Sequence, residues 1–221
     1  MPVTVKICGL TSAEAADAAM RLGAEYGGLV FHPASPRNLD LEQARALSQA
    51  MAGKLKRVAL VADRSDAELQ AIIAAAQPEL LQLHGRESVA RTAEVRARFA
   101  LPVIKALPVA EAQDLQAAND YAAVADMLLF DAKAPKDAER AGGHGVAFDW
   151  TLLAGRRFPK PWFLAGGLNP DNVARAIRAS GTRLVDVSSG VETSGVKDGA
   201  RIGHFMMAVR SADAANDTEP A

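Results

Sequence analysis

The sequence predicts an α/β protein built as a (β/α)8 barrel in a single domain, and three observations carry that expectation. Eight short apolar runs recur along the 221 residues, with starts 23, 30, 24, 22, 25, 35 and 22 residues apart. The stretches between them are rich in Ala, Glu and Arg, and most show apolar residues at helical spacing. Parallel strands need a crossover of a dozen or more residues, usually a helix, and every gap is long enough to supply one. Eight such units typically take about 250 residues and can close in about 200. An open doubly wound sheet remains the rival architecture, because alternation alone does not prove closure.

The runs occupy residues 3–8, 26–31, 56–63, 80–84, 102–107, 127–131, 162–165 and 184–188. Each gap except those around the fifth and sixth runs contains one clear helical stretch. The first, 12–23, shows the type: Ser12 can cap it, Glu14 stands in its first turn and Gly23 ends it. After Asp131 comes a polar, glycine-rich stretch through Gly145, and helix signals resume at Phe148. A loop of that length inside a compact domain is usually functional, and this one follows a strand's C-terminal end, the active face of such a barrel. Beyond the barrel domain of residues 1–210, residues 211–221 carry no apolar face and read as a disordered tail.

Lysine and arginine number 25 against 26 acidic residues, a formal net charge of −1, so there is no basic footprint for nucleic acid. The single cysteine excludes an internal disulfide framework and a multi-cysteine zinc site, and fits a reducing compartment. No apolar run reaches membrane-spanning length and the first residues lack a signal-peptide core. A cytoplasmic protein follows as the expectation, with neither a membrane nor a nucleic-acid partner.

Strand side chains alternate between faces, so each run splits by parity. Val3, Val5 and Ile7 oppose Thr4, Lys6 and Cys8; Val185 and Val187 oppose Leu184, Asp186 and Ser188; Leu81 and Leu83 oppose Gln82 and His84. The apolar sets suit packing against outer helices, which points the polar sets into the barrel, where they must be paired or used. Closure would bring strands one and eight together and make Lys6 and Asp186 an internal ion pair, most simply a structural one. Cys8 ends its run on the polar side with Lys6 two residues before it, and a nearby cation favours a thiolate; a small buried hydrophobe is the equally weighted reading. Asp131 ends the sixth run, across the barrel from the first. An aspartate there is ordinarily a turn former, but a base and an acid facing each other over one barrel mouth make a proton-transfer site.

The last two strand ends read as an anion site. The segment 165–172 passes from strand through Gly166 and Gly167 to a helix start, with Asn169 able to cap and Pro170 at the first helical position, and Ser188, Ser189 and Gly190 follow the eighth strand. Glycines let backbone N–H groups approach an anion, and barrels of this kind often bind phosphate after strands seven and eight. Arg37 sits in a proline-stiffened loop after the second run, and its donor fork suits a carboxylate. No histidine pair has the helical spacing of metal ligands, so no metal site is predicted.

Taken together, Lys6-Ile7-Cys8-Gly9-Leu10-Thr11, the Ser35-Pro36-Arg37 loop, Leu81-Gln82-Leu83-His84-Gly85, Leu129-Phe130-Asp131, Gly142-Gly143-His144-Gly145 with Phe148-Asp149-Trp150, Leu164-Ala165-Gly166-Gly167-Leu168 and Asp186-Val187-Ser188-Ser189-Gly190-Val191-Glu192 resemble the phosphoribosylanthranilate isomerase family. The match runs in order from strand one to helix eight and omits only the tail. The resemblance implies a TIM barrel of tryptophan biosynthesis that converts N-(5-phosphoribosyl)anthranilate to 1-(2-carboxyphenylamino)-1-deoxyribulose 5-phosphate without a cofactor. It implies Cys8 as general base, Asp131 as general acid and Arg37 as the holder of the anthranilate moiety. His84 falls in its substrate-binding set, together with Gly143, Gly145, Gly166, Gly167, Ser189 and Gly190 of the glycine-rich loops. That division asks Cys8 to lose its proton with help from a cation and Asp131 to keep one, and Lys133 would oppose the latter if it pointed inward. The chain departs from the family at His144, where members commonly carry a small hydroxyl residue. Another phosphosugar barrel enzyme, such as a metal-dependent pentose-phosphate epimerase, and a catalytically silent phosphate-ligand binder are the competing readings.

Overall fold

The computed structural model describes residues 2–133 and 147–216. Strands β1 (Thr4–Cys8), β2 (Tyr26–Phe31), β3 (Lys56–Val61), β4 (Leu80–Leu83), β5 (Val103–Val109), β6 (Met127–Ala132), β7 (Trp162–Leu164) and β8 (Leu184–Val187) pair in sequence order, all parallel. The pairing of β1 with β8 closes the barrel and rules out the open sheet. Its register sets Lys6 directly opposite Asp186.

Helices α1 (Ala13–Leu22), α2 (Leu41–Met51), α3 (Asp66–Ala76), α4 (Val89–Phe99), α5 (Ala118–Val124), α6 (Val173–Ser180) and α7 (Gly199–Asn216) form the crossovers and the closing element. Ser12, Asp40, Ser65 and Ser88 cap the first four, each side chain accepting a backbone N–H of the first turn. Such a cap contributes about 1 kcal/mol. Gly23 ends α1 in the left-handed conformation, as the sequence predicts. The two gaps without a clear helical stretch behave accordingly. The fifth holds a 3-10 turn, Ala112–Ala117, before the short α5, and the described part of the sixth holds only the 3-10 turn Trp150–Leu153.

Alternation along the strands creates two apolar layers. Tyr26, Val58, Leu80, Ile104, Ala106, Leu129, Phe163 and Ala165 fill the barrel, with Tyr26 and Phe163 packed edge to face at 5.5 Å. Residues of the opposite parity, among them Ile7, Leu81, Leu83, Val103, Phe130 and Val185, pack under the helices. Emptying a site such as Phe163 to alanine costs about 3–5 kcal/mol. The polar residues Lys6, Gln82, Asp131 and Asp186 share the inward parity, so they stack above the inner layer toward the strands' C-terminal ends.

The chain end differs from expectation. Helix α7 continues past Ser211 to Asn216, where the sequence predicts a tail from 211. Ala212 is fully buried, and the Asp213 carboxylate accepts from the Val3 backbone N–H at 2.8 Å and pairs with Arg183 at 2.9 Å. A weak apolar pattern is here supplemented by one carboxylate that pins the helix to the start of β1. Among the described residues no helix is long and apolar enough to cross a membrane.

Candidate active site

Two groups of side chains face each other over the C-terminal end of the barrel. On one side stands the end of β1. Lys6 is fully buried and its Nζ donates to Asp186 Oδ1 at 2.9 Å, the ion pair anticipated from closure. Cys8 lies just above it. Gly28 on β2 keeps this space open, since a Cβ there would sit 3.0 Å from Cys8 Sγ and 3.3 Å from Lys6 Nζ. Burial opposes the charge on Lys6, but Asp186 and Cys8 outweigh it and hold the ammonium above its ordinary range.

The surroundings of the thiol pull in two directions. Burial pushes Cys8 up; Lys6 and Lys197 pull it down, Asp186 pushes with burial, and the net shift is upward. Lys6 shares its charge with Asp186, so in the free protein it does not by itself hold Cys8 as a thiolate.

Arg37 reaches this side from the loop after β2. Its Nε and Nη2 donate to both oxygens of Glu192 at 2.6 and 2.7 Å, and its stem lies on Gly9 so closely that a side chain there would collide with Arg37 Cδ. Gly9 has φ +78°, which favours glycine as well. Glu192 begins a short antiparallel ribbon, Glu192–Thr193 with Val196–Lys197, that brings Lys197 back to the same carboxylate. Lys197 Nζ also donates to the Ser188 carbonyl at 3.2 Å, and Ser188 Oγ donates to the Cys8 carbonyl at 3.1 Å. Burial raises Glu192, but Arg37 and Lys197 outweigh it and leave the carboxyl below its ordinary range; burial also lowers Lys197 despite its partner. Among the described residues, the carboxylates that pair with Lys6, Arg37 and Lys197 are Asp186 and Glu192, and a Cys8 thiolate would balance the remaining positive charge.

The opposite side is simpler. Asp131 is 9% exposed at the end of β6; its Oδ1 accepts from the Ala132 N–H at 2.9 Å and its Oδ2 lies 3.2 Å from His84 Nε2. Gln82, two residues before His84 and on the same face of β4, places its amide nitrogen 2.9 Å from His84 Nδ1. Lys133 points away: it is half exposed and pairs with Asp114 at 3.1 Å, so it does not oppose a protonated Asp131.

The loops after β7 and β8 close the rim. Gly166 has φ +84°, and a Cβ there would stand 2.5 Å from the Ala132 nitrogen and 3.1 Å from Asp131 Oδ1. Gly167 follows, and Asn172 holds its carbonyl at 2.9 Å and the Asn169 N–H at 2.8 Å. Regular helix therefore begins at Val173, one turn after the Asn169 start that the sequence suggests, because 169–172 close first as a turn. Ser189 opens the 3-10 turn Ser189–Val191, and Gly190 presses on the Leu168 carbonyl with no room for a side chain. Gly143, His144 and Gly145 lie outside the described residues.

Among the described residues no three His, Cys, Asp or Glu side chains converge as a metal cluster. The sequence reading assigned no role to Lys197, which follows β8 in a short segment without periodicity, or to Glu192, whose pairing with Arg37 depends on two loops 155 residues apart.

Comparison with known proteins agrees over nearly the whole chain. The family profile described as N-(5'phosphoribosyl)anthranilate (PRA) isomerase matches residues 5–208. The chain is 54% identical over 214 residues to N-(5'-phosphoribosyl)anthranilate isomerase of Rhodopseudomonas palustris strain BisA53, covering 96% of this chain and 98% of that one. It superposes on phosphoribosyl anthranilate isomerase of Thermotoga maritima with a TM-score of 0.84 at 34% identity, covering 95% and 99% of the two chains. A structure of such an isomerase in complex with reduced 1-(o-carboxyphenylamino)-1-deoxyribulose 5-phosphate gives 0.81 at 32% identity, with the same coverage of 95% and 99%. With its closed barrel and this breadth of likeness, the chain belongs to the N-(5'-phosphoribosyl)anthranilate isomerase family.

Proposed function

We propose that this protein isomerises N-(5-phosphoribosyl)anthranilate to 1-(2-carboxyphenylamino)-1-deoxyribulose 5-phosphate in tryptophan biosynthesis, with Cys8 as general base and Asp131 as general acid. The observation that carries the reading is the placement of these two groups on strands β1 and β6 of one closed barrel, both at the same end.

Asp131 gives its proton to the ribose ring oxygen, and the C1–O bond opens to an iminium. The new positive charge acidifies the C2–H bond. It also adds to the cations around Cys8, which opposes burial and favours the thiolate, the thiol's own proton passing to solvent before the C2 proton is taken. The thiolate removes the C2 proton and leaves an enolamine. Protonation at C1 and loss of the O2 proton give the ketone, and Cys8 and Asp131 return to their starting states. The steps are proton transfers and one C1–O cleavage within a single molecule, so no electron acceptor is consumed.

Arg37 holds the anthranilate carboxylate, with its guanidinium kept in place by Glu192. The backbone of Gly166, Gly167, Ser189 and Gly190 takes the phosphate, together with Gly143 and Gly145 of the long loop; His84 lines the acid side. The substrate is a small phosphorylated sugar conjugate that does not cross membranes unaided, which supports a cytoplasmic enzyme working where that substrate is made. Following anthranilate fluorescence on adding phosphoribosylanthranilate tests the reading: turnover supports it, and binding without turnover contradicts it.

A further inference from the structure

Gln82 takes no part in the steps above, and its setting is costly. It is fully buried inside the barrel, and its Oε1 has no hydrogen-bond partner among the described residues. A buried amide oxygen left unpaired destabilises a fold, whereas a methionine of similar length would fill the same space without that penalty. The polar contact that Gln82 does make is Nε2 to His84 Nδ1 at 2.9 Å. With the amide nitrogen toward the ring, Nδ1 accepts and the ring proton sits on Nε2, facing Asp131 Oδ2 at 3.2 Å; the amide turned over would instead accept from Nδ1–H, so the amide orientation and the tautomer are set together. A proton on Nδ1 would displace that hydrogen bond and set two donors face to face.

We propose that Gln82 is a positioning residue that holds His84 as the neutral Nε2–H tautomer, so that Asp131 and not the imidazole carries the proton delivered to the substrate. The inference rests on Asp131 being the acid. A doubly protonated His84 would pair with Asp131 as a carboxylate and leave it no proton to give. The neutral ring instead donates one hydrogen bond to Oδ2, which stabilises the carboxylate after the proton has left. The charged groups on the neighbouring strand and loop have hydrogen-bond partners of their own. Lys105 from β5 donates to the carbonyls of Leu83 and Gly85 on either side of His84, at 3.2 and 2.9 Å, and pairs with Glu87 at 2.8 Å. Asp63, from the loop after β3, accepts from the Arg86 N–H at 2.7 Å.

Three measurements test this. Nitrogen-15 spectra of the wild-type histidine rings at neutral pH, with His84 assigned by its loss in His84→Asn, show a protonated Nε2 and a bare Nδ1; a protonated Nδ1 overturns the proposal. Gln82→Met melts at or above the wild-type temperature yet lowers kcat about tenfold or more with little change in KM, and the loss is greatest toward acid pH, where the freed Nδ1 takes a proton. Gln82→Glu, whose carboxylate accepts from Nδ1–H and favours the imidazolium, loses at least as much. Wild-type kcat in both variants, or an equal loss at every pH, overturns the proposal. If wild-type protein fails to turn over phosphoribosylanthranilate, the isomerase reading falls, and the ring spectra still decide the role of Gln82.

Discussion

Lys6 and Lys105 look alike in sequence, each a lone lysine inside an apolar strand, and both are buried with a carboxylate partner at 2.9 and 2.8 Å. They differ in which face of the sheet they occupy. Lys6 points into the barrel, pairs across strands with Asp186 and lies beside Cys8. Lys105 shares its face with Val103 and Leu107, lies 5.7 Å from the Tyr121 ring of α5 and ties Leu83, Gly85 and Glu87 together. One buried charge is set beside Cys8 and the other fastens a loop to the outer wall. Parity, not burial or pairing, separates the two.

The comparison breaks most visibly when each lysine is removed. Lys6→Met leaves Asp186 buried without its cation and loses about 3–5 kcal/mol in chemical denaturation, whereas Lys105→Met loses less, because the Glu87 carboxylate still accepts from the Asp63 and Gly85 backbone N–H groups. Only Lys6→Met also loses turnover in the molecules that remain folded, because Cys8 loses its nearest cation. An equal loss of kcat in Lys105→Met would erase the distinction.

A smaller effect sharpens the picture of the β1–β8 side. Glu192→Gln weakens the two charge-assisted hydrogen bonds that fix Arg37, and KM is expected to rise about tenfold, corresponding to about 1.4 kcal/mol, with a lesser change in kcat. An unchanged KM would detach Arg37 from substrate binding.

The smallest effect is a pH dependence of stability. Glu192 has a folded-state pKa below its unfolded value, so the stability it contributes is present above the ordinary carboxylate range of about 4.3 and lost as pH falls through the folded value. The stability difference between wild type and Glu192→Gln, measured by urea unfolding, therefore narrows on going from neutral pH to below about 4. A difference that widens toward acid would reverse the sign.

Most of the fold was legible because period-2 and helical spacing are local signals. Lys6 opposite Asp186 followed from parity once closure was assumed, and Cys8 and Asp131 were visible as polar residues ending apolar runs. The Arg37–Glu192–Lys197 cluster was not visible, since it is assembled by loops and depends on where a chain segment turns back. The balance of influences on Cys8 is not legible for a related reason. Sequence proximity gave it a cation but concealed how deeply it is buried and how much of the Lys6 charge is committed to Asp186. The helical course of 211–216 was missed because it depends on Asp213 meeting the start of β1.

The central claim is that Cys8 and Asp131 divide the proton transfers between opposite walls of the barrel. The most direct test is kcat for Cys8→Ala and Asp131→Asn beside binding of reduced 1-(o-carboxyphenylamino)-1-deoxyribulose 5-phosphate. A loss of about 10²–10⁴-fold in kcat in each variant, with the ligand still bound, is predicted. Near-normal turnover in either variant would contradict it.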